Sequence, residues 1–376
     1  MTKFVVHIGD GKCGSSAIQA ALFDAREDLA KIGIAYDAHH RTSGNYNFGT
    51  LLGKATRGND EHQRRWAGQV VKRLRSSAEH ADYVFISSEA FLTMEPAEIV
   101  QILEMISDDI ESIDTIAYVR HPLSMYLSLA QQSVKASFRF RRPDTYRRPL
   151  HEFVGKWRES PLIDSVTVRL FDRTALVGNN AVADFEAIVK QLTGNAAIKL
   201  DHIDENTSLS AEQMVVMQDF RRRFHADHDN RWTPDTSRLI DFFTTMNEDG
   251  MVGHRPQLTP EAAAWVLHGN HDVLDWLGTE CGLGPDQPAP TDLKQDGDWS
   301  KLPSILASVD PGAVHQLKMM IPAFNPGILS GDLSKASQAL DAMATATPAG
   351  AAAIARAAEI YWNAEALANC TTLASA

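Results

Sequence analysis

A chain of 376 residues, 44% of them hydrophobic, is long enough for a large α/β domain with a smaller helical part and apolar enough to bury its core. Its 36 lysines and arginines against 48 aspartates and glutamates leave a formal charge of −12, which argues against general binding to nucleic acid or to an anionic membrane. No apolar run approaches the ~20 residues of a membrane span, no secretory leader precedes the first strand, and Cys13, Cys281 and Cys370 are too few and too scattered for a disulfide framework or a zinc site, so a cytoplasmic protein with reduced thiols is expected.

In chain order, the apolar run at residues 3–8 predicts a buried strand, and His7 to Gln19 follows it as a glycine-bearing turn into a helix. Ile18, Leu22, Ala25, Leu29 and Ile32 recur at three- and four-residue steps and mark that helix's apolar stripe, which places Ser15 and Ser16 in its first turn. A strand, a turn carrying Gly11, Lys12, Cys13 and Gly14, and two hydroxyls at a helix start make an anion cradle, because the turn's N–H groups and the helix dipole both favour negative charge. The natural guest is a phosphate. Lys12 precedes Gly14, whereas the nucleoside-triphosphate loop GxxxxGK[ST] places its lysine after the last glycine. Cys13 reads either as a small residue tolerated in the turn or as a thiol made reactive by positive charge nearby.

Further apolar runs at 83–87, 115–119 and 165–171, separated by helical patterns, complete the signature of a parallel sheet with crossover helices. The second strand ends in Ser87, Ser88 and Glu89 and the third in Arg120, which is followed by Pro122 at a helix start. Leu123, Leu127, Ala130 and Val134 give that helix an apolar stripe, and Ser124 and Ser128 share another face near the edge that carries Arg120. An arginine and a hydroxyl at a strand's carboxyl end suit a second phosphate, and ligands of open α/β sheets bind at that end. The run from Phe138 to Arg148 holds five arginines beyond one aspartate and reads either as a solvated loop or as a cover for a bound nucleotide that also draws an anionic acceptor.

From Ser210 the patterns are helical, at 210–225, 235–247 and 259–280, the last with a capped start at Thr259-Pro260-Glu261. The expected organisation is an α/β domain over 1–281, with its sheet mainly in 1–195 and a helical part in 196–281. A proline-bearing linker over 282–298 and a helical C-terminal region over 299–376 follow, the latter a cap, an assembly element for a homo-oligomer or a separate module.

Two phosphate sites on one sheet edge are where the chain resembles the sulfotransferases, the bacterial ones especially. In that family a strand-loop-helix of the HIGxxKTG[ST]S type binds the 5′-phosphosulfate of 3′-phosphoadenosine 5′-phosphosulfate, and an Arg with a Ser eight residues on binds the 3′-phosphate. Lys12, Gly14, Ser15 and Ser16 match the first pattern, Arg120 and Ser128 the second, and Cys13 departs from the usual threonine or serine. The likeness runs over roughly residues 3–280, and Val168 to Arg173 with Leu176, Gly178, Asp184 and Phe185 is similar to the family's last strand and following helix.

The resemblance implies a P-loop-like parallel sheet flanked by helices and a metal-free, direct in-line transfer of the sulfuryl group to a hydroxyl or amine, leaving 3′-phosphoadenosine 5′-phosphate. Gly11, Lys12, Cys13, Gly14, Ser15, Ser16, Arg120, Ser128 and Phe171 then bind the nucleotide, Phe171 near its adenine. Lys12 stabilises the leaving phosphate and Glu89 takes the acceptor's proton, with His7, His39, His40 and His121 as reserves. Candidate acceptor-lining segments are Ala38 to Gly49, the arginine run and His225 to Trp232, whose mixed content suits a small hydroxylated molecule, a saccharide or a lipid head group. The alternatives are a P-loop kinase acting on a small molecule, for which the Ser or Thr that holds Mg²⁺ directly after the lysine is missing, and a non-catalytic nucleotide-binding or assembly protein.

Overall fold

The computed structural model describes residues 1–54, 60–202, 208–248, 253–283, 293 and 298–323. These form two compact units. One comprises Met1–Pro122 with the described parts of Arg148–Asn206 and Asn270–Pro288, and the other Leu123–Arg147 with the described parts of Thr207–Gly269 and Ala289–Ala376. Most of the expected linker over 282–298, and the expected C-terminal helical region beyond Ala323 with its alanine-rich stretch and Cys370, lie outside the described residues.

The first unit is built on a five-stranded parallel sheet. Its strands β1 (Thr2–His7), β2 (Ile34–Ala35), β3 (Tyr83–Ser87), β4 (Ile110–Val119) and β5 (Ser165–Leu170) lie in the order β2-β3-β1-β4-β5. Helices α1 (Ser15–Lys31), α2 (Asp60–Ala78) and α3 (Pro96–Glu104) join the first four strands. Helix α4 (Pro122–Ala136) leaves β4 for the second unit, and α5 (Leu150–Arg158) leads back into β5, which α6 (Ala181–Thr193) follows. An α/β architecture with a parallel sheet flanked by helices is therefore what the alternating apolar runs build.

Strand alternation divides the sheet's two faces. Phe4 and Val6 of β1, Val84 and Ile86 of β3 and Ala117 and Val119 of β4 share one core with Val70 and Leu74 of α2, Ile102 and Leu103 of α3 and Trp157 of α5. On the other face His7 meets Phe185 of α6 edge-on at a ring separation of 5.6 Å. Each large apolar side chain fully withdrawn from water contributes about 1.5–3 kcal/mol, so the central strands, buried on both faces, hold the unit together. In α1, Ile18, Leu22 and Leu29 are buried and Ala25 and Ile32 half-buried, as the spacing predicts.

Three sequence expectations change. The strand expected at 115–119 begins at Ile110, because Glu111, Ser112 and Asp114 alternate with the apolar residues and disguise the first half. Strand β2, only two residues long, gave no periodic signal. The buried stripe of α4 runs through Met125, Tyr126, Ala130 and Val134, leaving Leu123 and Leu127 half-exposed, because the Tyr126 hydroxyl donates to the Arg141 carbonyl at 2.8 Å and its ring packs edge-on against Tyr146.

The second unit continues with α7 (Ala211–Phe224), α8 (Pro234–Glu248) and α9 (Pro260–His268) and ends, among the described residues, with α11 (Pro311–Ala323); α10 (His271–Cys281) belongs to the first unit. The single helix expected over 259–280 is thus two, broken at Gly269 and Asn270. A Cβ at Gly269 would stand 1.7 Å from Arg147 Nη1 and would make that side chain shift, and Asn270 turns its side chain to accept the Arg148 N–H at 2.9 Å. Helix α7 is the unit's hub although its sequence is polar. Fully buried Arg221 donates to the Thr236 hydroxyl and to the carbonyls of Ala136, His228 and Arg231, and Gln218 binds the carbonyls of Phe138 and Ser300. No helix of the described residues is long and apolar enough to cross a membrane.

Candidate functional site

The chain leaves β1 toward β2 on one side of the sheet and leaves β4 toward β5 on the other, so the crevice between the carboxyl ends of β1 and β4 is the topological switch point where such sheets take ligands. The segment from Ile8 to Gly14 lies at that point. Ile8 N–H donates to the Ile116 carbonyl and Asp10 N–H to the Tyr118 carbonyl, both at 2.9 Å, which fastens the start of the turn along β4. Lys12 (φ 66°) and Gly14 (φ 78°) are left-handed, and the bend they make delivers the chain into α1. Gly14 caps that helix with its backbone, and its carbonyl accepts from the N–H groups of Ala17 and Ile18, both at 3.1 Å. Ser15 and Ser16 are the first helical residues, Ser15 buried with its hydroxyl turned to the Asp10 carbonyl and Ser16 exposed.

Three predicted residues meet at this turn. Arg120, at the end of β4, donates from Nη1 to the Lys12 carbonyl at 2.9 Å and lays its guanidinium over the Phe171 ring at 5.4 Å. Phe171 also abuts Gly14, where an added Cβ would lie 2.9 Å from its Cε2 and 2.8 Å from the Ala181 Cβ. Glu89, exposed just past β3, faces the turn from the other side, its Oε2 3.6 Å from where a Cβ on Gly11 would stand. The Lys12 side chain reaches solvent, yet the surrounding loop's desolvation and the Arg120 guanidinium hold its amine below the ordinary lysine range, against the opposing pull of Glu89.

Cys13 is not a reactive thiol: it is fully buried, and burial together with the Asp10 carboxylate pushes its pKa well above the ordinary value despite Arg120 and Arg148. His7 is buried beneath the turn, shares a 2.7 Å hydrogen bond through Nδ1 with Ser87 Oγ, and is pushed down to about 3 by burial, which makes it a neutral support. Ser124 and Ser128 sit half-buried on α4 within the second unit, whereas Arg120 belongs to the first.

The arginine run divides at its last residue. In the second unit Arg142 pairs with Asp144 at 2.7 Å, Arg139 approaches Asp229 at 3.5 Å, Arg141 donates to the Arg147 carbonyl, and Arg147 to the carbonyls of Asp144 and Tyr146. Most of these charges therefore brace their own loop. Arg148, in the first unit, forms a two-pronged ion pair with Asp10, a residue only 1% exposed inside the predicted cradle. Sequence reasoning passed over Asp10, since nothing along the chain signals that a carboxylate there has a partner 138 positions away.

Beside the cradle, Asn45 ties the segment after β2 to the end of β3. Its N–H donates to the Ser87 carbonyl at 2.8 Å, its Oδ1 accepts from the Ser87 N–H at 3.0 Å and its Nδ2 donates to the Asp37 carbonyl at 2.9 Å. This sets the candidate acceptor segment Ala38 to Gly49 on the strand end that precedes Glu89. Within it Arg41 grips Asp24 of α1, Tyr46 donates to Gln63 at 2.6 Å and His39 stacks on Trp66 at 4.0 Å.

Comparison of the chain with protein-family models, with curated proteins and with solved structures finds no match. What stands at the switch point is a left-handed turn at a helix start, an ammonium and a guanidinium, with a carboxylate opposite.

Proposed function

We propose that the protein is a sulfotransferase that moves a sulfuryl group from 3′-phosphoadenosine 5′-phosphosulfate to a hydroxyl or amine by direct in-line displacement, working in the cytoplasm. The observation that carries the reading is the meeting of Lys12, Arg120 and Phe171 around one left-handed turn at the sheet's switch point, with Glu89 facing it. A nucleotide with phosphates at both ends needs two cationic positions and a flat apolar surface, and that group supplies all three.

On this reading the P-loop-like turn from Gly11 to Ser16 takes the 5′-phosphosulfate through its N–H groups and Lys12, Arg120 takes the 3′-phosphate, and the Phe171 ring takes the adenine. The acceptor's lone pair attacks sulfur as the bond from sulfur to the bridging oxygen breaks. The bond's electron pair stays on the 5′-phosphate, where Lys12 offsets the charge, and the acceptor's proton passes to Glu89. The segment Ala38 to Gly49 lines the acceptor side, for a small molecule, a saccharide or a lipid head group. A kinase is disfavoured because Cys13, buried, stands where a magnesium-holding hydroxyl would follow the lysine. We also propose assembly into a homo-oligomer; of residues 299–376, expected to serve it, those beyond Ala323 lie outside the described residues.

Thermal unfolding tests the reading. 3′-Phosphoadenosine 5′-phosphate without magnesium is expected to raise Tm, by mass action on a folded-state ligand, and ATP far less. Stabilisation by ATP alone, and only with magnesium, would sink it. Labelled donor followed by mass spectrometry of sulfated products then identifies the acceptor.

A further inference from the structure

We infer that Arg148 is a positioning residue that makes the cradle fit for an anion: it cancels the charge of Asp10 and anchors the turn through that carboxylate. The inference rests on the anion-binding reading of that turn. Asp10 is an odd residue to find there, because a carboxylate beneath a phosphate site opposes the ligand. Asp10 is 1% exposed, so water cannot screen it, and Arg148 meets both of its oxygens, Nε to Oδ2 at 2.7 Å and Nη2 to Oδ1. A planar guanidinium matched to both carboxylate oxygens fixes orientation as well as charge.

Arg148 is itself held. Its N–H donates to Asn270 Oδ1 at 2.9 Å, at the residue that starts α10, and its guanidinium lies 5.9 Å from the centre of the Phe153 ring of α5. Asp10 therefore has two anchors. The Asp10 N–H is taken by the Tyr118 carbonyl of β4, and the Asp10 side chain by Arg148. Among the described residues, the Cys13 thiol within the turn feels Asp10, Arg120, Arg148 and Glu89, and Lys12 at the rim feels Glu89 and Arg120. Without Arg148 the two cations at the rim would face an anionic ligand over an uncancelled buried carboxylate. With it, the charge the turn presents is that of Lys12 and Arg120.

Four proteins test this: wild type, Arg148→Gln, Asp10→Asn and the near-isosteric double variant Asp10→Asn/Arg148→Gln, which removes both charges and leaves no lone buried ion. The affinity of 3′-phosphoadenosine 5′-phosphate is measured by calorimetry from about pH 5.5 to about pH 8.5, a range that spans the titration of a desolvated carboxylate. Arg148→Gln is expected to bind at least about tenfold more weakly than wild type at the alkaline end. That deficit should shrink toward acid pH as Asp10 takes up a proton, and the double variant should recover most of the affinity with no such pH dependence. A double variant as weak as Arg148→Gln at every pH overturns the inference, since the pair would then matter only as packing. Should wild type bind inorganic pyrophosphate but not the nucleotide, the sulfotransferase reading fails, and the same four-way comparison with pyrophosphate decides the role of Arg148. Binding of neither overturns both.

Discussion

Gly14 occupies a backbone conformation that L side chains rarely adopt, and two neighbouring side chains close on the space a Cβ would need. Gly14→Ala is therefore expected to lower stability by about 2–3 kcal/mol through combined backbone strain and overpacking, read from urea denaturation midpoints. A loss no larger than that of an ordinary exposed glycine would show that the turn relaxes freely. Glu89 sits at the same scale but makes a different demand. If its carboxylate takes the acceptor's proton, Glu89→Gln should cut turnover by about 100-fold or more while nucleotide affinity stays within a few-fold of wild type. Near-normal turnover would move the base to a histidine or to the substrate itself.

The link between β5 and α6 concentrates in one buried side chain. Asp184 accepts from Arg169 Nε at 3.0 Å, from its Nη2 at 2.5 Å, from the Tyr118 hydroxyl at 2.9 Å and from the Val177 N–H at 3.0 Å. Burial alone would raise its pKa, but these donors together hold it below the ordinary carboxylate value, while burial and the same carboxylate push the Tyr118 phenol up. The helix is capped independently by Asn180, whose Oδ1 accepts from the N–H groups of Val182 and Ala183. Asp184→Ala should leave the helix intact yet cost about 2–4 kcal/mol, because a phenol and an amide lose their partner inside the fold. Far-UV circular dichroism with guanidinium melts checks both halves, and a loss under about 1 kcal/mol would mean that water replaces the carboxylate.

Across the molecule, several buried groups give stability the same pH dependence. His7 has a folded pKa of about 3 against an ordinary value of 6.5, so between those values the unfolded chain binds a proton the folded one refuses. Its contribution is complete above pH 6.5 and is lost at about 1.4 kcal/mol per pH unit as pH falls toward 3. Asp184, Glu186 and Glu212, all held below the usual carboxylate range by their donors once burial is overcome, add losses at still lower pH. Stability by chemical denaturation should thus fall already from pH 6.5 to pH 4.5 in wild type and stay flatter in His7→Gln. Equal slopes in the two proteins would remove His7 as the cause.

The α/β class, four of the five strands, the turn with its Lys12 and the strand-end positions of Glu89 and Arg120 are legible along the chain, because apolar periodicity and turn chemistry are local properties. The interior of α7 is not legible in this way: its polar Glu212, Gln213, Gln218 and Arg221 are buried, and Glu212, Gln218 and Arg221 are satisfied by groups as far along the chain as Asp310, Ser300 and Ala136. That Arg120 caps the turn over Phe171, that Cys13 is sealed away, and that the arginine run ends in a residue committed to Asp10 follow from packing in three dimensions alone. The physical reason is common to all three. Burial and pairing of a charge depend on what lies across space from it, and a sheet order of β2-β3-β1-β4-β5 places side by side residues that no pattern along the chain connects.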